Sequence, residues 1–235
     1  MKLTENEINF EHAVKRMEAV RKKRGYLMPH HGLLALTAPG LLEGYDACYS
    51  SLTLGNRFLE ESDKEFVWLG ILAVKEEFLA TQHVPKYLEA GGSSNLVKIA
   101  LRLAAYAKGA STFEFADTYW KNHLPNYDGR REYKNGITAL VNNEGLEDGL
   151  LHITMAAIHT SIRNWIQLEW HLSWAYLLEV PETHISEALS YSMFTGSIPN
   201  FIEGCEVWRK MIVDEKVAAS EPFKLWAETE QSGPA

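Results

Sequence analysis

Phe66-Val67-Trp68-Leu69-Gly70-Ile71-Leu72-Ala73-Val74 is an unbroken apolar run, and whether it forms a strand or a helix decides the fold class. Buried strands and buried helices of this length carry the same hydrophobic signal, so the flanks arbitrate. Ser62 to Glu65 reads as a capping box in front of the run, and no hairpin signal lies nearby. Behind it, Glu76-Glu77-Phe78-Leu79-Ala80-Thr81-Gln82-His83-Val84-Pro85-Lys86-Tyr87-Leu88-Glu89-Ala90-Gly91 continues at helical spacing. The run is therefore expected to be a buried helix. A second helix is expected to carry His83 and to kink beside it, because Pro85 deprives the Thr81 carbonyl of its usual donor.

The same reading extends outward. Thr4 to Glu7 forms a capping-box pattern, and Phe10, Ala13, Met17 and Val20 step along one face of a helix closed by Gly25. Pro39 starts a helix with Leu41, Leu42, Tyr45, Cys48, Tyr49 and Leu52 inward, stopped by Gly55. Ser93 or Ser94 caps another that Gly109 ends. Helices are expected over 113–123, 127–143, 146–160, 164–178, 184–195 and 200–213, and 214–235 reads as a tail without periodicity. No segment has the alternation of a sheet, so the fold class is all-α.

With 235 residues and 46% hydrophobic content, the chain can bury a large core on its own. A net charge of -8 argues against nucleic acid, whose binding draws its affinity from clustered Lys and Arg. Arg21 to Arg24 is the one basic run, and it complements a helix C-terminus. Two cysteines, Cys48 and Cys205, make neither a disulfide framework nor a redox pair, and both read as small buried hydrophobes. The apolar run is far short of the ~20 residues of a membrane span, and the N-terminus lacks an apolar signal region. A cytoplasmic protein without membrane or nucleic-acid partners is expected.

His83 and His171 are 88 residues apart, and laying one on the other brings Gly109 near Gly196 and Trp120 near Trp208. Two tandem repeats, about 25–120 and 121–213, are expected to share one core as a single domain.

In the first half, His31 precedes Pro39-Gly40-Leu41-Leu42, Lys64-Glu65 opens an apolar helix, and Glu76 to His83 is followed by Gly91. In the second half stand Leu168-Glu169-Trp170-His171 and Phe194-Thr195-Gly196-Ser197-Ile198-Pro199. This spaced pattern, covering about 25–213, resembles the carboxymuconolactone decarboxylase and alkylhydroperoxidase-D-like superfamily. The resemblance implies a helical bundle of repeated units, often oligomeric, and chemistry on small organic acids without cofactor. The Cys-x-x-Cys pair of the peroxidase branch is missing: its places hold Glu76 and Leu79, or Asn164 and Gln167. Glu65 matches the glutamate of the family's apolar helix, whereas the second half offers His152 nearest that place.

Cofactor-free decarboxylation needs a dry carboxylate site, a donor for the enolate and a proton source for carbon. Because imidazole as a side chain can exchange protons near neutral pH, His83 is the expected acid or base, with Glu65 and Glu76 meeting across a helix hairpin to orient it. Arg163 is expected to grip the substrate carboxylate beside His171 and His152, and His31 to join the pocket. His152 and His159, seven residues apart, lie too far along one helix for a single metal unless other helices supply ligands between them, and no metal is assigned. A carbon-carbon lyase acting on a lactone or keto acid is the leading expectation. The alternatives are a non-catalytic small-acid-binding or assembly protein and a metal-dependent oxidoreductase.

Overall fold

A computed structural model describes residues 10–55 and 57–229. The capping box expected at Thr4 to Glu7 lies outside the described residues. The described chain is helical, with no strand among the described residues, and none of its helices is long and apolar enough to cross a membrane. It divides into two compact units, Met1–Gly55 and Asn56–Ala235, with the boundary inside the span expected for the first repeat.

The first unit holds α1 (Phe10–Arg24), α2 (Pro29–Thr37) and α3 (Pro39–Tyr49), the last continued by a π-helical turn, Ser50–Leu54. Pro29 and Pro39 each occupy a first helical turn, where a missing N–H costs nothing. Val20, Ala35 and Leu42 form its core, with Met17, Leu27 and Leu34 against them. Phe10, Leu41 and Cys48 of the expected inward faces are exposed instead.

The second unit is built on two nearly enclosed helices, α4 (Glu61–Lys75) and, later in the chain, α9 (Asp148–Ile162), packed on each other. Between them run α5 (His83–Glu89), α6 (Ser94–Lys108), α7 (Ser111–Tyr119) and α8 (Gly129–Val141). After them come α10 (Trp165–Leu177), α11 (Glu182–Ser190), α12 (Ser192–Thr195), α13 (Ile198–Val213) and α14 (Glu221–Glu228). Gly70 lets α4 and α9 close up, since a Cβ there would lie 2.9 Å from side-chain atoms of Ile158 and Thr154. Phe66, Leu69, Ile99, Leu103, Ile137, Met155 and Ile158 fill the core around that crossing.

Three local expectations give way. The α4 helix begins at Glu61, so Ser62 sits in the first turn, and Glu65 points into the core instead of back at the cap. The helix expected to run through 76–91 is interrupted: Glu76 takes the left-handed conformation (φ 55°) and ends α4, a 3-10 turn follows at Phe78–Ala80, and α5 starts at His83. Pro85 thus lies in the first turn of α5 and causes no kink there, while the Val84 N–H satisfies the Thr81 carbonyl at 3.1 Å. Finally, the expected tail contains α14, whose Phe223 and Trp226 pack on Trp208 at ring separations of 5.3 and 5.4 Å.

Candidate functional site

Two buried polar pairs join each central helix of the second unit to the helix that follows it. The first is Glu65 on α4 with His83 at the start of α5. Glu65 Oε2 lies 2.5 Å from His83 Nδ1, and the residues are 0% and 1% exposed. Trp68, one turn after Glu65, stacks on the imidazole with centroids 4.9 Å apart, and Tyr191 packs on the indole at 5.0 Å. The apolar run thus both buries the carboxyl and roofs the imidazole, since helix positions three and four apart share a face. The second carboxyl oxygen, Glu65 Oε1, is buried without a partner among the described residues.

Behind Trp68, Tyr191 donates its hydroxyl to Glu187 Oε1 at 2.5 Å, and Glu187 Oε2 accepts the Phe58 and Leu59 N–H groups at 2.6 and 2.9 Å. Arg57 reaches Glu187 at 3.5 Å, donates to Ser190 Oγ at 2.8 Å and lies 5.2 Å from the Tyr191 ring centre. A buried carboxylate is tolerable when saturated in this way, and Glu187 therefore reads as a structural clamp on the start of α4.

The second pair is His152 on α9 with His171 on α10, their Nδ1 atoms 3.0 Å apart. It continues inward: His171 Nε2 lies 2.9 Å from the Tyr133 hydroxyl, which is 2.8 Å from His159 Nε2. His159 Nδ1 is buried without a partner among the described residues. Burial pushes His152 down to about 4 and His159 to about 3, and holds His171 well below its usual value, with neighbouring imidazoles and cations adding to the effect for His152 and His171. Burial also raises Tyr133 well above the usual phenol range. All four groups are then neutral near pH 7, and a neutral imidazole has one donor and one acceptor nitrogen. Only two proton arrangements satisfy the whole chain. In one, every donor points inward, from His152 to His171 to Tyr133 to His159; in the other, every donor points outward.

The other expected site residues are elsewhere. Glu76 does not meet Glu65: its side chain is 77% exposed and paired with Lys108, which holds its carboxyl below the usual range. The left-handed turn that ends α4 carries it outward. Arg163 likewise follows α9 in a left-handed conformation (φ 63°), and its half-exposed guanidinium pairs with Glu203 at 2.6 Å, so it does not complete the His152/His171 cluster. His31 belongs to the first unit, where its Nε2 faces Arg24 at 3.0 Å and its Nδ1 faces the Met28 N–H at 3.0 Å. Burial, then His30 and Arg24, push it down to about 4. Arg24 forks onto Asp46 Oδ1 at 2.7 and 3.1 Å and Lys23 reaches Asp46 Oδ2 at 2.6 Å, so one carboxylate holds both cations of this cluster.

Tyr133, Glu187 and Tyr191 carry no signal in the sequence that marks them as site residues. His159 is visible in the sequence through its spacing from His152, but the tyrosine that joins it to His171 comes from another helix. Among the described residues, no group of three or more His, Cys, Asp and Glu is placed to hold a metal ion. No protein-family model, curated protein or solved structure matches the chain.

Proposed function

We propose that this chain is a lyase of the carboxymuconolactone-decarboxylase kind, releasing carbon dioxide from a small lactone or keto acid without cofactor, with His83 as proton carrier and Glu65 as its positioning residue. The observation that carries the reading is the 2.5 Å contact between two fully enclosed side chains, Glu65 and His83, beneath Trp68. With Nδ1 held by the carboxyl group, Nε2 is the nitrogen left to exchange a proton, the arrangement by which an acid fixes the tautomer and direction of a catalytic imidazole. In the reaction, the bond to the carboxylate carbon breaks and its electron pair enters the neighbouring carbonyl. The resulting enolate then takes a proton at carbon from His83.

An apolar cavity of about 320 Å³ lies between the end of α4 and the start of α5, bordered by Leu69, Leu72, Phe78, Thr81, Val84 and Leu101. Neither Glu65 nor His83 lines it, so the dry surroundings such a step needs come from the burial of the pair itself, where charge developing away from water interacts more strongly with fixed dipoles. The parallel between α4 and α9 supports a two-repeat, alkylhydroperoxidase-D-like arrangement. Both helices have 15 residues, Glu65 and His152 are each the fifth, and each helix is followed by a left-handed residue.

The test is a screen of lactone and keto acids for carbon dioxide release by the full chain, repeated with His83→Gln. The variant is expected to keep its far-ultraviolet dichroism and lose turnover by about 10²–10⁴-fold, the usual worth of a general acid or base. Undiminished turnover in that variant removes His83 from the mechanism. Glu65→Gln should lower kcat with little change in KM and move the pH profile, which a purely structural role for the carboxyl group would leave in place.

A further inference from the structure

The geometry points to a second binding site, separate from the Glu65/His83 pair, in which Arg130, Lys134 and the Nε2–H of His152 hold the carboxylate of a small organic acid. Arg130 and Lys134 are four residues apart and so share a face of α8, and both are exposed. The Arg130 guanidinium and the Lys134 ammonium each lie 5.2 Å from the Trp174 ring centre, and neither has a carboxylate partner among the described residues. Several other exposed cations of this unit are paired, Lys108 with Glu76, Arg163 with Glu203 and Lys216 with Glu169. Two unmatched positive charges held on one indole in a chain of net charge -8 form an oxyanion receptor.

The floor of the receptor is His152, whose ring is 5.3 Å from that of Trp174 and only 6% exposed. Its Nδ1 is taken by His171, and its Nε2 has no hydrogen-bond partner among the described residues. An anion above His152 selects between the two proton arrangements of the buried chain, because only the outward one places a hydrogen on Nε2. His152 then donates to the anion from Nε2, His171 donates from Nδ1 to His152, Tyr133 donates to His171 Nε2, and His159 donates from Nε2 to Tyr133. One proton enters at His152 Nε2 from solvent and one leaves His159 Nδ1 to water during a transient opening of the core, since that nitrogen has no partner among the described residues; four protons are present before and after, so no charge is buried. The indole wall favours an oxyanion carrying an organic group over a bare inorganic one. Occupancy at the surface is thereby registered at His159 through three hydrogen bonds.

The experiment uses the full chain with ¹⁵N-labelled histidine, titrated with benzoate and, separately, inorganic phosphate at pH 7. Long-range proton–nitrogen correlations read the tautomer of each imidazole. Benzoate is expected to bind saturably at millimolar concentration and to shift His152 and His159 toward the Nε2–H form and His171 toward Nδ1–H in step. The exposed double variant Arg130→Gln/Lys134→Gln should weaken binding at least 10-fold, and Tyr133→Phe should leave His159 unresponsive while His152 still shifts. Unchanged histidine tautomers in the wild-type chain overturn the proposal, as does wild-type affinity in the double variant or phosphate binding as tight as benzoate. His83→Gln should bind benzoate unaltered; a loss there merges the two sites and overturns their separation. Failure of the decarboxylase reading leaves each of these outcomes in place.

Discussion

The Glu65/His83 and His152/His171 pairs occupy matching places: each takes the fifth residue of a 15-residue central helix and an imidazole from the helix that follows. In the first an acid meets an imidazole under a tryptophan; in the second an imidazole takes the acid's place, and the surroundings are rebuilt to suit. Tyr133 and His159 extend the second pair into a chain of neutral groups, while the cations Arg130 and Lys134 stand over Trp174, whose ring neighbours that of His152. The difference shows how two matching helix positions carry two kinds of buried polar pair. A carboxyl group fixes one tautomer of its imidazole, whereas a second imidazole leaves two tautomer sets open and lets the surroundings choose.

Acid should separate the two devices most strongly. His152 is held at about 4 and His159 at about 3, with His171 well below its usual value. All three lie under the roughly 6.5 of an unfolded histidine, so the unfolded chain takes up protons that the folded chain refuses. Their contribution is complete above about pH 6.5 and is lost as pH falls toward about 4, at up to about 1.4 kcal/mol per pH unit for each imidazole. Denaturant midpoints measured at pH 7 and pH 5 should show this loss, and a flat profile would mean that the chain accepts protons while folded. His31, held at about 4, adds the same direction of change to the first unit.

Cutting the second device at its centre comes next. His171→Leu leaves the Tyr133 hydroxyl and His152 Nδ1 each short of a partner, at a combined cost of about 2–5 kcal/mol in chemical denaturation. A loss under 1 kcal/mol would show that the chain of hydrogen bonds re-forms without its middle member. Gly70→Leu tests the crossing that both devices share. Overpacking against Ile158 and Thr154 should lower stability by about 1–3 kcal/mol, read as a lower melting temperature.

The smallest and most specific change converts one device into the other. His152→Glu places an acid beside His171 as Glu65 stands beside His83, and a carboxylate neighbour stabilises an imidazolium. The His171 titration, followed by nuclear magnetic resonance, should move upward by about 1–3 pH units. An unmoved titration would show that burial alone governs His171.

Much of the helical order was legible because its signals are local. Gly25, Pro39, Ser93 and Gly109 stand at helix ends as their chemistry requires, with the Ser93 hydroxyl accepting the Leu96 N–H at 3.1 Å. Glu65 and His83 could be named together because a buried run stood beside each. Glu76 was misjudged because the left-handed turn that throws it outward is a single-residue event that a glutamate does not announce. The α14 helix was missed although Ser220-Glu221-Pro222 is a start signal and Phe223, Trp226 and Ala227 share a face; its residues fold back on Trp208, a partner fifteen positions earlier.

By itself, then, the sequence determined the helical class, the burial of 66–74 and the pairing of an acid with His83, because periodicity, caps and apolar runs act over a few residues. The chain through Tyr133, the clamp at Glu187 and the cations over Trp174 were decided only by tertiary structure. Each joins groups from helices distant in sequence, and a side chain's hydrogen-bond partner depends on which helices pack together, which no local pattern encodes.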